Sequence, residues 1–228
     1  MMPPFDWHET ISTRSSFIEE RLSGGTPVIA VATKEGTLLF AVRRQAPKIY
    51  EIYDRLALGL IGQQSDVENL RMAALDFAHQ EGFNRSEQDV TIKRVVSAMS
   101  QPLKRAFADL NTAPFVARGL FADVAERPED TRFYVMDYDG DYSVRSKAAF
   151  ITGNQDGATT LREELDDTDW TKLKPEAAMK KLQDLWALAV DPSGEKQFAA
   201  LTENLSVEAA ILRSDQPEQA FVRLTSID

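Results

Sequence analysis

Short apolar runs alternate along this chain with segments whose apolar residues recur at helical spacing, and the order of the two patterns predicts the layers of a fold. The runs at 28–32 and 37–42 predict a β-hairpin, because a Lys-Glu-Gly turn separates them. The run at 56–61 is almost continuously apolar, which is typical of a strand buried on both faces, and a short mixed segment at 48–53 precedes it. Further strands are predicted at 115–124, 132–138, 142–146, 148–152, 207–212 and 220–224.

Apolar residues at helical spacing mark the predicted helices. Ser65 and Glu68 form a capping-box pattern that predicts a helix start, and Gly82 is predicted to end this helix. The other helices are predicted at 9–22, 90–107, 157–165 and 175–189. After its first helix, the chain therefore runs as strands, two helices, strands, two helices and strands, and its hairpins favour antiparallel sheets. We expect an α+β protein with four layers in the order α-β-β-α.

The composition describes an acidic protein that is poor in metal-binding side chains. Its 228 residues include 26 Lys and Arg, 36 Asp and Glu, two His and no Cys, for a net charge of −10. This charge argues against binding to nucleic acid or to an anionic membrane surface. Disulfides, a thiolate nucleophile and Cys-based or His-rich metal sites are excluded, so no metal or cofactor is expected. No apolar run approaches the roughly 18 residues of a membrane span, and no secretory signal is present, so we expect a cytoplasmic protein.

One block of sequence identifies a family. The residues 48–55, Lys-Ile-Tyr-Glu-Ile-Tyr-Asp-Arg, precede Gly62 and the sequence Asp-Val-Glu-Asn-Leu-Arg at 66–71, and this arrangement resembles the proteasome α subunits of bacteria. Supporting stretches lie at 73–78, 133–140, 208–212 and 220–225, so the resemblance covers most of the chain from residue 26 onward. It implies the same four-layer fold in a non-catalytic subunit. It also implies an outer ring of α subunits, expected to be a heptamer, on a ring of proteolytic β subunits, with an AAA ATPase as activator and proteins as substrates.

The resemblance gives Lys48 and Gly62 a role in docking the activator. In α subunits the matching Lys lies in a pocket between neighbouring subunits and binds the C-terminal carboxylate of the ATPase. A Lys ammonium is a good point-charge partner for a carboxylate. The matching Gly has no side chain and lets the incoming backbone approach. From the residues alone, a solvated surface Lys and a Gly at a strand end remain the alternative.

The N-terminal residues carry a second implied role. Residues 1–25 are expected to form a gating tail and helix ahead of a proteasome-type domain at 26–228. The predicted gate consists of Met1, Met2, Pro3, Pro4, Phe5, Asp6 and Trp7. This segment is mostly apolar and its two prolines stiffen the backbone, so several copies could pack as a plug at a ring axis. The Tyr-Asp-Arg motif typical of archaeal and eukaryotic gates is absent, and a disordered start remains the alternative.

A self-compartmentalising hydrolase of the β-subunit type is the second hypothesis. Such enzymes use an N-terminal Thr whose own amine is the base, and Gly25-Thr26 superficially fits the required cleavage site. Pro27 follows, however, where active relatives carry a small hydroxyl residue or similar. Val42 stands where they carry an Asp that helps to hold a buried Lys charged. Lys48 resembles that Lys, but it stands closer to the second strand than the catalytic Lys of such enzymes does. From these departures together, we expect no catalytic residue in this chain.

Overall fold

Two five-stranded antiparallel sheets form the centre of the protein. The computed structural model describes residues 4–216 and 219–224. The helices are α1 (Pro4–Leu22), α2 (Gln64–Asn84), α3 (Ile92–Ala108), α4 (Asp156–Asp167), α5 (Pro175–Val190) and α6 (Phe198–Leu201). The strands are β1 (Val28–Thr33), β2 (Gly36–Arg43), β3 (Ile49–Tyr53), β4 (Leu56–Gly62), β5 (Ala117–Asp123), β6 (Arg132–Met136), β7 (Tyr142–Ser146), β8 (Ala148–Ile151), β9 (Ser206–Arg213) and β10 (Phe221–Leu224). One sheet has the strand order β10-β9-β2-β1-β8 and the other β3-β4-β5-β6-β7. No helix in the described part of the chain is long and apolar enough to cross a membrane.

Three apolar layers hold these elements together, and they confirm the expected α-β-β-α order. Strand β1 shows how the sequence produces it, because Val28 and Ala30 face the second sheet whereas Ile29 and Val31 face α4 and α5. All the residues of β1 are buried, as expected for a strand that is covered on both faces. On the far side of the second sheet, Leu58 lies in the cluster formed with α2 and α3. The two sheets are therefore each covered by a pair of helices on the outer face.

The predicted capping box at the start of α2 is wrong. The helix begins at Gln64, one residue before the predicted cap, and no side chain caps its first turn. The Ser65 hydroxyl accepts a hydrogen bond from the Gln63 amide, at 3.1 Å. The Glu68 carboxylate pairs with Arg71, which lies one turn further along the same helix surface. Both members of the motif are thus already inside the helix.

Other helix ends also differ from the predicted ones. Gly82 does not end α2, and a side chain at this position would overlap the Tyr53 hydroxyl, so the glycine permits a close packing contact. Helix α1 begins at Pro4 rather than at residue 9, and α3 begins at Ile92 rather than at residue 90. The short helix α6 was not expected, because a single turn is too short to display helical periodicity.

Helix α1 is packed against one end of the sandwich by its C-terminal half. Ile18 and Leu22 are buried and form a small apolar cluster with Val116 and Tyr138. This contact explains the helix, since its apolar stripe is narrow and would not stabilise an isolated segment of this length.

Two arginines also hold α1 in place. The Arg14 guanidinium donates hydrogen bonds to the carbonyls of Ala106, at 2.8 Å, and Thr112, at 2.6 Å, near the C-terminal end of α3. Carbonyls at a helix C-terminus lack partners within the helix and carry partial negative charge, so they are natural acceptors for a cation. The Glu19 carboxylate pairs with Arg118 of β5. The orientation of α1 is therefore set by packing and by charge together.

Candidate functional site

A cleft of about 700 Å³ opens where α1, the β2–β3 loop and the start of α2 meet. The two predicted docking residues, Lys48 and Gly62, both line it, so the structure brings them together. Lys48 stands immediately before β3, and Gly62 is the last residue of β4. These two strands pair with each other in the second sheet, which explains why residues 14 positions apart share one cleft.

The Lys48 side chain points its ammonium at neutral oxygen atoms. Its Nζ donates to the backbone carbonyl of Thr26, at 2.9 Å, and to the Thr26 hydroxyl, at 2.5 Å. Burial lowers the pKa of Lys48 to about 8, against a smaller opposing effect of the Glu208 carboxylate. The alternative of a fully solvated Lys is therefore wrong, because this amine is partly withdrawn from water.

Glu208 of β9 fixes the backbone on which Lys48 stands. Its side chain is 5% exposed, and its carboxylate accepts hydrogen bonds from the backbone N–H of Lys48, at 2.8 Å, and from that of Ile49, at 3.3 Å. Arg223 of β10 donates to the same carboxylate, at 2.8 Å. The buried charge of Glu208 is thus satisfied by Arg223 and two amides, and it does not form an ion pair with the Lys48 ammonium.

Gly62 occupies a backbone conformation that other residues rarely adopt. Its φ is +140°, and a Cβ placed there would collide with the carbonyl of Val116, the residue immediately before β5. That carbonyl accepts a hydrogen bond from the next residue, Gln63, at 2.8 Å. The close approach of two backbones at the end of β4 therefore requires glycine, and it also leaves this part of the cleft without a side chain.

The cleft is positively charged although the protein as a whole is acidic. Besides Lys48, its wall contains Arg21 at the end of α1 and the consecutive residues Arg43 and Arg44 after β2. Among the described residues, no Asp or Glu lines it. Sequence reasoning did not select these arginines as site residues. The adjacent Arg43 and Arg44 were a visible signal, whereas nothing local places Arg21 in the cleft.

The structure places the Lys48 ammonium against Thr26, a contact that the sequence analysis did not predict. The Thr26 hydroxyl accepts from Lys48 and donates its own proton to the Val42 carbonyl, at 3.1 Å. Thr26 follows Gly25 through an ordinary peptide bond, and Gly25 is itself held by hydrogen bonds to Leu22 and Gly153. The Thr26 hydroxyl is therefore hydrogen-bonded to a neutral carbonyl. Residue 42 is Val, so it supplies no carboxylate near Lys48.

The predicted gate is covered only in part by the described residues. Met1, Met2 and Pro3 lie outside them, whereas Pro4 to Trp7 form the first turn of α1. The Trp7 side chain is 43% exposed. Since Pro4 and Arg21 lie 17 residues apart in one helix, the start of α1 is about 26 Å from the Arg21 end that lines the cleft. One anchored helix thus joins the cleft to the N-terminal segment. No group of three or more acidic or His side chains in the described ranges is arranged to hold a metal ion.

Comparison with known proteins identifies the family to which this chain belongs. The chain matches the family model described as proteasome subunit over residues 22–195. A proteasome subunit alpha from Actinosynnema mirum is 28% identical over 219 residues, which cover 95% of this chain and 81% of the relative. Those from Xylanimonas cellulosilytica and Jonesia denitrificans are 29% and 25% identical over 223 residues, with 95% and 96% of this chain and 88% and 92% of the relatives covered. Because the family model spans well over half of the sequence, the chain belongs to the proteasome subunit family and is of the bacterial α type.

Proposed function

We propose that this chain is a non-catalytic α subunit of a bacterial 20S proteasome core in the cytoplasm. It assembles with other α subunits into an outer ring, a heptamer, that is stacked on proteolytic β subunits. It restricts the access of protein substrates to the chamber and docks an AAA ATPase. The observation that carries the docking function is the Lys48 ammonium, which lies in an open cationic cleft with only neutral oxygens as its acceptors.

A peptide C-terminus suits this cleft in charge and in shape. A carboxylate that reached Lys48 would supply the counter-charge that the cleft lacks, and it would stabilise the charged form of an amine whose pKa burial has lowered. Gly62 leaves room for the peptide backbone beside it. Leu201 and Leu205, which are both partly exposed, contribute apolar surface to the same wall, where an apolar side chain of the incoming segment can pack.

The absence of catalysis is supported by the way the chain before Thr26 is folded. A free Thr26 amine would require cleavage after Gly25, which would remove the whole of α1. Ile18 and Leu22 would then leave the apolar cluster that they form with Val116. In proteases of this type the segment before the nucleophile is discarded, whereas here it is built into the core.

The gate is the second part of the proposal, and it rests on the division into a gating segment at 1–25 and a domain at 26–228. Deletion of residues 1–7 should raise the hydrolysis of proteins and long peptides by the assembled particle, because the deletion removes the apolar segment and leaves the anchoring residues Arg14 and Glu19 in place. Hydrolysis of a tripeptide substrate is the control, since small molecules are the least restricted. Unchanged protein hydrolysis by a particle of normal size would contradict a gate.

Lys48→Ala tests docking most directly. Truncation of one end of a semi-enclosed Lys–carboxylate contact costs about 2–5 kcal/mol, which is roughly thirtyfold to several thousandfold in affinity for each tail. Several tails that engage one ring would multiply this loss through avidity. We expect ATPase-dependent degradation to fall strongly, while assembly on native gels and cleavage of small peptides stay normal. Lys48→Arg should also impair docking, because a planar guanidinium does not match a site shaped for a compact ammonium.

Lys34→Ala is the matched control. Lys34 is an exposed Lys in the β1–β2 turn, it does not line the cleft, and its loss should leave activation unchanged. If both Lys48 variants assemble poorly, Lys48 supports the fold rather than the activator. Normal assembly with normal activation in Lys48→Ala would remove the cleft from the docking site.

A further inference from the structure

The cleft holds more positive charge than one carboxylate requires. A single C-terminal carboxylate is matched by Lys48 alone, yet Arg21, Arg43 and Arg44 also line the wall. In a protein with a net charge of −10, four cations on a cleft wall that no Asp or Glu of the described residues lines are a marked departure from the average surface charge. Uncompensated cations at a cleft raise the local concentration of anionic ligands and reject cationic ones.

The three arginines differ in how far the protein has already neutralised them. Arg43 lies 3.8 Å from the buried Glu208 carboxylate and also bonds to the Gln45 carbonyl. Arg21 and Arg44 are exposed and form no ion pair with any carboxylate of the described residues. Arg21 extends over the Phe17 ring, at 5.2 Å from its centre, which orients the side chain without cancelling its charge. Arg21 and Arg44 are therefore the two cations that remain available.

The start of α2 adds to the same potential. Gln64 and Val67, in the first turn of α2, line the cleft, and the helix has no side-chain cap there. Asp66 lies in the same turn, but it does not line the cleft and its carboxylate accepts a hydrogen bond from the Val116 N–H, at 2.9 Å. The N-terminal end of a helix carries partial positive charge from its amide groups. Two side chains from separate elements and one helix terminus thus act on the same volume.

We propose that this cleft selects C-terminal segments that carry acidic side chains before the terminal carboxylate, with Arg21 and Arg44 as the specificity-determining residues. This inference rests on the proposed docking function and adds the chemistry of the partner. Lys48 takes the terminal carboxylate, and the two arginines take the side-chain carboxylates of the preceding residues. An extended segment suits this arrangement, because its alternate side chains point to the same side.

Peptide binding to the assembled α–β particle tests the proposal. Two fluorescein-labelled peptides share one length and one apolar C-terminal residue, and they differ only in carrying Glu or Gln at two upstream positions. By fluorescence anisotropy at low salt, the Glu peptide should bind about tenfold more tightly, since two exposed charge pairs contribute modestly each. The preference should shrink at high salt, because exposed charges are screened. The double variant Arg21→Gln/Arg44→Gln should abolish the preference, so that the Glu and Gln peptides bind with equal affinity.

Controls separate this inference from the docking function itself. Arg105→Gln removes an exposed arginine of α3 that does not line the cleft, and it should retain the preference. Equal affinity of the two peptides, with binding that still requires Lys48 and a free C-terminal carboxylate, would overturn the acidic selectivity and leave docking intact. Binding of neither peptide would overturn both. A preference that survives in a correctly folded double variant would overturn the assignment to Arg21 and Arg44.

Discussion

Arg118 is a buried cation and Lys48 a half-buried one, and their immediate partners differ in charge. The Arg118 side chain is 8% exposed, pairs with the carboxylates of Glu19 and Asp137, and donates to the Thr152 carbonyl. Burial by itself would lower the pKa of Arg118, but Asp137 and Glu19 raise it above its ordinary value. Lys48 instead donates to the neutral oxygens of one threonine, and burial lowers its pKa to about 8.

The difference separates a cation that holds the fold together from one that can accept a ligand. Arg118 joins α1 to the ends of two strands, and its charge is fully used within the chain. Lys48 has been taken partly out of water without receiving a counter-charge, which is unfavourable unless a carboxylate arrives. Binding of a peptide C-terminus at Lys48 would therefore provide what Glu19 and Asp137 provide at Arg118.

The largest effect is expected when Arg118 is removed. Arg118→Met should lower the free energy of unfolding by about 2–3 kcal/mol, somewhat less than for a fully buried pair, because both carboxylates can still be hydrated. The measurement is chemical denaturation. Arg127→Met is the control, since Arg127 pairs with Asp130 on the open surface and its loss should change little. Equal stability of the two variants would mean that the Arg118 cluster does not stabilise the protein.

Removal of the Lys48 charge should change the free energy of unfolding in the opposite direction to removal of the Arg118 charge. The pKa of Lys48 is about 8 in the folded chain and about 10.4 when unfolded, so below pH 8 the folded state carries a cost that is relieved as the pH rises. Relative to Lys48→Met, the wild-type chain should gain about 2 kcal/mol of stability between pH 8 and pH 10.5. Denaturation of both proteins across this range is the measurement. If the stabilities of the wild-type chain and Lys48→Met changed equally with pH, burial would not be lowering the pKa of Lys48.

Docking should depend on pH in the direction that the Lys48 pKa sets. With a pKa of about 8, about nine-tenths of Lys48 is charged at pH 7 and about one-tenth at pH 9, so affinity for a peptide carboxylate should fall about tenfold. Lys48→Arg binds more weakly but stays charged, so its affinity should not vary over this range. The readout is peptide anisotropy as a function of pH. A flat wild-type profile would contradict a role for the Lys48 charge in binding.

The smallest effect is expected at Thr26. Thr26→Ala should leave peptide hydrolysis by the assembled α–β particle unchanged, because the proposed function assigns the nucleophile to the β partner and the Thr26 hydroxyl is engaged with Val42. Peptidase assays on particles of verified size make the comparison. A loss of many orders of magnitude with normal assembly would favour the second hypothesis, in which Lys48 serves Thr26 rather than a ligand.

Local patterns in the sequence were sufficient for the layers of the fold. The apolar runs at 28–32 and 37–42 predicted a hairpin, and β1 and β2 form it with the antiparallel pairing that the hairpin signals favoured. The ends of helices were predicted less well, because Ser65 and Glu68 satisfied a capping pattern that a one-residue shift of the helix made unnecessary. Gly82 likewise carried a stop signal, whereas its actual role is a contact with Tyr53, a residue far away in sequence.

Residue types at short spacings and one distinctive block around Lys48 were enough to predict the four layers and the family. What surrounds that block depends on contacts between elements that are distant in sequence. Arg21 reaches the cleft because Ile18 and Leu22 pack α1 against the end of the sandwich, and Arg118 is neutralised because the same helix brings Glu19 to it. Local spacing cannot specify whether a buried cation meets a carboxylate, because that depends on how elements distant in sequence pack together.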